Sequence, residues 1–141
     1  MDNFTLQLNL IEEEIDKIQT KVASLPDPSE NLLDGNFDNL KADLTSQHMA
    51  RQQIIDCKEK LKLMLSESYR NNFSNEYKCK VLRLLLRVEN MLGYRFAHLE
   101  NPFSDITLPT HDYKLYCEMA LRINPTNSYF LARFGSIHKI I

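Results

Sequence analysis

The sequence predicts an all-α protein, and three observations carry that reading. Apolar residues recur at steps of three and four along most of the 141-residue chain. Only three glycines and five prolines interrupt them, too few for the frequent reversals of an all-β sandwich. The third observation is balance: 43% apolar and 26% charged residues give enough apolar surface for a core, with polar faces left for water. The length suits one domain, or one domain plus an arm.

The first helix is read from "FTLQLNLIEEEIDKIQTKVASL". Leu8, Ile15 and Val22 take one seam position, while Phe4, Ile11, Ile18 and Leu25 take the other. This is a heptad seam, narrow on an otherwise polar helix, with Glu12, Glu13, Glu14, Asp16 and Lys17 outside it. Such a seam predicts pairing with one or two other helices, in this chain or another, so Leu8, Ile11, Ile15, Ile18 and Val22 form a candidate protein interface. Pro26 stops the helix, because it lacks an N–H and restricts the residue before it.

"PDPSENLLDG" reads as a turn or short linker. A long helix over 37–70 follows, with Leu40, Leu44, Ile54, Cys57, Leu61 and Met64 in rhythm and a break with a new N-cap expected near Thr45–Ser46. Folded back on the first helix, it would form an antiparallel, coiled-coil-like hairpin over residues 1–70. "RNNFSN" is the next turn. The third helix, over 75–99, carries Tyr77, Val81, Leu82, Leu84, Leu85, Leu86, Val88, Met91, Leu92 and Phe96 on more than one face, which places it centrally. After the loop "NPFSDITLPT", Thr110 is positioned to cap a helix over 111–123; Asn127 or Ser128 is positioned to cap the last one. Residues 75–141 are thus expected to form a helical bundle or repeat-like helices.

The last helix is strongly apolar, with Tyr129, Phe130, Phe134, Ile137, Ile140 and Ile141. Such a helix requires cover, either from a continuation of a longer chain or from another subunit. Tyr129, Phe130, Phe134 and Ile137 are therefore the second candidate interface.

The stretch "YCEMALRINPTNSYFLARFGSIHKI" resembles the junction between two tetratricopeptide-type repeats. Ala120 and Leu121 precede Pro125, and Gly135 follows it, at that family's spacings. Leu131 stands where the family has an aromatic residue, and the match covers only the C-terminal end. The resemblance implies paired helices brought close by small residues. "YKCKVLRLLLRVENMLGYRFAHLE" followed by "DYKLYCEMAL" also has the general shape of the helical domain of GINS replication-complex subunits, without a specific motif.

Charge is unevenly distributed. Residues 1–46 hold ten acidic and three basic side chains, and residues 47–141 hold nine acidic and fourteen basic. The acidic arm is thereby suited to lie on the basic body, or the two to face different partners. Lys80, Arg83 and Arg87 align on one face of the third helix. Three readings stay open for this stripe: a salt-bridged or snorkelling border of buried leucines, a dock for an acidic segment of this chain or a partner, or a set of phosphate contacts.

Chemistry-bearing motifs are missing. Cys57, Cys79 and Cys117 are odd in number and widely spaced, and with His48, His98, His111 and His138 they make no metal spacing. There is no phosphate loop and no nucleophile elbow. The expectation is a non-enzymatic assembly subunit without cofactor or metal, joined to protein partners as a homo- or hetero-oligomer, in a reducing compartment, cytoplasmic or nuclear, and outside the membrane.

Overall fold

A computed structural model describes residues 3–24, 35, 37–96 and 111–140. Among these, the protein is all-α, with five α-helices packed against one another. They are α1 (Asn3–Ser24), α2 (Phe37–Arg70), α3 (Asn75–Asn90), α4 (His111–Ile123) and α5 (Ser128–Ile140). The expected capping residue Thr110 lies outside the described residues.

α2 runs unbroken through the expected interruption. The Thr45 hydroxyl donates to the Lys41 carbonyl one turn back at 2.8 Å, so it is engaged within the helix instead of capping a new one. The real stop is at "RNNFSN". Asn72 adopts the left-handed conformation, φ 52°, which Asn tolerates better than most residues. The Phe73 N–H then bonds the Ser68 carbonyl at 2.8 Å, and the Asn72 N–H bonds that of Tyr69 at 3.4 Å, a Schellman closure. Ser74 at once begins α3, its hydroxyl accepting from the Tyr77 N–H at 3.2 Å. This turn aims Phe73 at Phe4 of α1, with ring centroids 4.8 Å apart, and at Tyr77, 5.2 Å away.

That aromatic contact sets the direction of the first three helices. Phe4 lies beside the α2–α3 turn, while Glu14 faces Lys60 at 3.9 Å, so α1 runs antiparallel to α2. Asn9 meets Lys80, and Asp16 meets Arg87, so α1 runs parallel to α3. The expected hairpin of α1 and α2 is present, but its seam closes on α3 as well.

Leu8, Ile11, Ile15, Ile18 and Val22 are all buried in the same core as Ile54, Leu61, Val81, Leu82 and Leu85. These five residues are therefore covered by the chain itself, whereas Phe4 at the start of the seam is 39% exposed and Leu25 lies outside the described residues. The separation expected between 1–70 and 75–141 falls at a turn within one continuous core.

α3 is central, touching α1, α2 and α4. It ends earlier than the apolar pattern suggests. Residues Met91–Arg95 form a π turn, closed by the Phe96 N–H on the Met91 carbonyl at 3.0 Å, and Phe96 is fully buried beyond it. Residues 97–99 of the expected helix lie outside the described residues. α4 lies along α3, and α5 turns back on α4. Asn127 caps α5 as expected, its side-chain oxygen accepting from the N–H groups of Tyr129 (3.0 Å) and Phe130 (3.3 Å).

One buried charge set pins α2, α3 and α4 together. Lys58 of α2 reaches Glu89 of α3 at 2.5 Å and Asp112 of α4 at 3.2 Å. Glu89 is only 1% exposed. Burial pulls the Lys58 pKa down, but the bonds to Glu89 and Asp112 outweigh it and hold the ammonium above its ordinary value.

All three cysteines are free thiols. Burial pushes Cys57 and Cys117 from 9.0 up to about 11, and Tyr116 from 10.0 up to about 12. Raised acids release protons from the unfolded chain first. The contribution of the two cysteines is therefore intact below pH 9.0 and is lost as pH climbs through about 11; that of Tyr116 is intact below 10.0 and is lost as pH climbs through about 12. The urea midpoint should fall steadily across that window. At neutral pH a thiol reagent should modify half-buried Cys79 before the other two; equal rates for all three would show that the α2 and α4 sites are open.

Candidate protein-docking groove

The basic stripe and the start of α5, far apart in sequence, come together in one groove. α3 forms its floor, α1 one wall and the first turn of α5 the other. The cavity is about 580 Å³, and its lining includes Glu12, Glu76, Lys80, Arg83, Arg87 and Tyr129. From Glu76 to Arg87 it spans three turns of α3, roughly 16 Å.

Each basic residue is held differently. Arg87 is committed to α1: it pairs with Asp16 at 2.7 Å and donates to Gln19 through both Nε and Nη2. That is the acidic arm lying on the basic body, one of the arrangements the charge distribution suggested. Lys80 donates to the Asn9 side-chain oxygen at 2.5 Å. Asn9, Asp16 and Gln19 thus form a polar edge of α1 that follows the α3 stripe. Arg83 stacks over the Tyr129 ring, 4.3 Å from its centroid, and Arg133 of α5 approaches the same ring at 5.0 Å.

The expected α5 interface divides in the structure. Phe130 is 2% exposed and belongs to the core, so it is not available to a partner. Tyr129 and Phe134 are half-buried against that core, and the Ile137 side chain lies outside the described residues. Leu131, an apolar residue of α5, is instead turned outward, 47% exposed. At Gly135, no atom of another helix among the described residues lies within 4 Å of the place a Cβ would take.

The sequence did not single out Arg133 or Asn9, since neither falls on an apolar rhythm or a motif. Lys58 and Glu89 were equally hidden. The one signal was Glu89 itself, a carboxylate inside the apolar run of α3, which demands a counterion when buried. Among the described residues no cluster of His, Cys, Asp and Glu is arranged to hold a metal ion. None of their helices is long and apolar enough to cross a membrane. The chain matches no protein-family model, no curated protein and no solved structure.

Proposed function

We propose that this protein is a non-enzymatic interaction subunit that docks a protein partner in the groove between α1 and α5. The observation that carries this reading is the groove itself. It places Lys80 and Arg83 on a helix floor stiffened by the core, with a partly exposed tyrosine on the wall above them. Open, helix-walled and mixed in charge, such a groove is suited to a peptide or helix more than to a small apolar ligand. Leu8, Ile11, Ile15, Ile18 and Val22 of the heptad seam take no part in docking, because they are buried in the chain's own core. Three free thiols, two of them buried, agree with a reducing, intracellular setting.

The test is particle mass, measured for the purified protein and for the same protein in extract. We expect a larger particle in extract that shrinks with Lys80→Glu plus Arg83→Glu, two substitutions in the groove lining and outside the core that leave the helical circular dichroism unchanged. A chain that stays at monomer mass in extract sinks the proposal.

A second reading, a GINS-like subunit associated with nucleic acid, draws on the same cations. Against it, Arg87 is already neutralised by Asp16, and Glu12 and Glu76 line the groove. It requires retention on a nucleic-acid column that falls steeply with added salt.

A further inference from the structure

Arg83 and Arg133 come from different helices yet share one aromatic ring. Their guanidinium carbons lie 4.3 and 5.0 Å from the centre of Tyr129. Lys80 stands one turn before Arg83 on α3 and also lines the groove. Among the described residues, none of these three cations has a carboxylate within ion-pair distance; the ion pair of this face belongs to Arg87. The arrangement gathers positive charge around a ring without neutralising it. An aromatic face holds a guanidinium flat and leaves its N–H edge free to meet a carboxylate in bidentate fashion.

We propose that Arg83 and Arg133, aligned by Tyr129 and assisted by Lys80, recognise carboxylates on an acidic segment of the protein partner. This rests on the interaction reading above and adds the chemistry the partner must bring. Lys80 and Arg83 are three residues apart, so they match acidic side chains spaced one helical turn apart. The same groove argues for a peptide over a nucleic acid. Glu12 and Glu76 line it along with the cations, and a continuous chain of phosphates would have to pass them. A peptide can set carboxylates against the arginines and neutral or basic side chains against the two glutamates.

The experiment is fluorescence anisotropy on the full chain with three labelled probes. One is a helical peptide of about 15 residues, long enough to span the groove, with Glu pairs one turn apart among Leu and Ala. The second has each Glu replaced by Lys, and the third is a single-stranded oligonucleotide. The acidic peptide should bind at least about tenfold more tightly than its lysine counterpart, and Arg83→Gln with Arg133→Gln should remove about that factor. The double variant should keep its unfolding midpoint, since both side chains are exposed.

Equal affinity for the two peptides, or an acidic-peptide affinity indifferent to the double variant, overturns the proposal. Binding of the oligonucleotide alone also overturns it and reassigns the cations to phosphate. If the protein assembles in extract and the double variant assembles equally well, docking stands and carboxylate recognition fails. If it never leaves monomer mass, the underlying docking reading fails with it.

Discussion

Ile15→Asp should unfold the protein, not merely separate it from a partner. Ile15 is completely buried, in contact with the core shared by α1, α2 and α3. The substitution removes its packing and places a carboxylate where no counterion is provided. Large-to-small changes at such sites cost about 2–5 kcal/mol before any charge is added, and an unpaired buried charge adds more. Against a total stability of about 5–15 kcal/mol, most of the folded population should be lost. Helical circular dichroism at 25 °C and the urea midpoint measure this directly. A variant that stays helical with an unchanged midpoint would mean that the α1 seam faces outward after all. Ile15→Val should cost only about 1 kcal/mol, because it trims the same contact without burying charge.

Lys58→Met should be the next most damaging change. It leaves the Glu89 carboxylate, 1% exposed, facing an apolar side chain, and breaking one partner of a buried pair costs about 3–5 kcal/mol. Replacing both, as Lys58→Met with Glu89→Leu, should recover most of that loss, since two apolar residues of similar size avoid the desolvation of both ions. Asp112, 40% exposed, remains hydrated in either variant. The comparison of single and double variants by urea unfolding decides the matter: a double variant as unstable as the single would show that the pair orders α2, α3 and α4 in a way apolar contacts cannot replace.

The pair also bears on alkaline stability. Its lysine has a folded pKa above the ordinary 10.5, so its contribution is complete below that value and disappears as pH rises through the folded one. The loss therefore comes later than that of Cys57 and Cys117, which begins above pH 9.0.

Much of the secondary structure was legible because its causes are local. The rhythm of Leu8 to Val22 reports one apolar stripe, Asn127 can cap only the helix that follows it, and "RNNFSN" supplies both a left-handed asparagine and a capping serine. The misplaced details were local contests as well. Thr45 has a hydroxyl that can cap a new helix or bond back to the preceding turn, and it bonds back. The apolar pattern of α3 continues through Met91 and Phe96, yet the backbone there widens into a π turn around Gly93, which a side-chain pattern does not register.

The candidate site was legible only in pieces. Lys80, Arg83 and Arg87 could be placed on one helix face from their spacing, and Tyr129 on another helix. Their meeting depends on how α5 folds back and on where α1 lies across α3. The same holds for the choice among the three readings of the stripe: Arg87 is taken by Asp16, whereas Arg83 is left to a tyrosine and shares it with Arg133.

By itself, then, the sequence determined an all-α chain, the extent of most of its helices and the apolar face of each, because propensity, caps and periodicity act over a few residues. Only the tertiary structure decided what covers those faces. The seam of α1 closes on its own α2 and α3, Phe130 turns inward while Leu131 turns outward, and Lys58 finds Glu89 across a helix boundary. An apolar stripe specifies that it must be buried but not by which neighbour; that choice is made by the packing of the whole core.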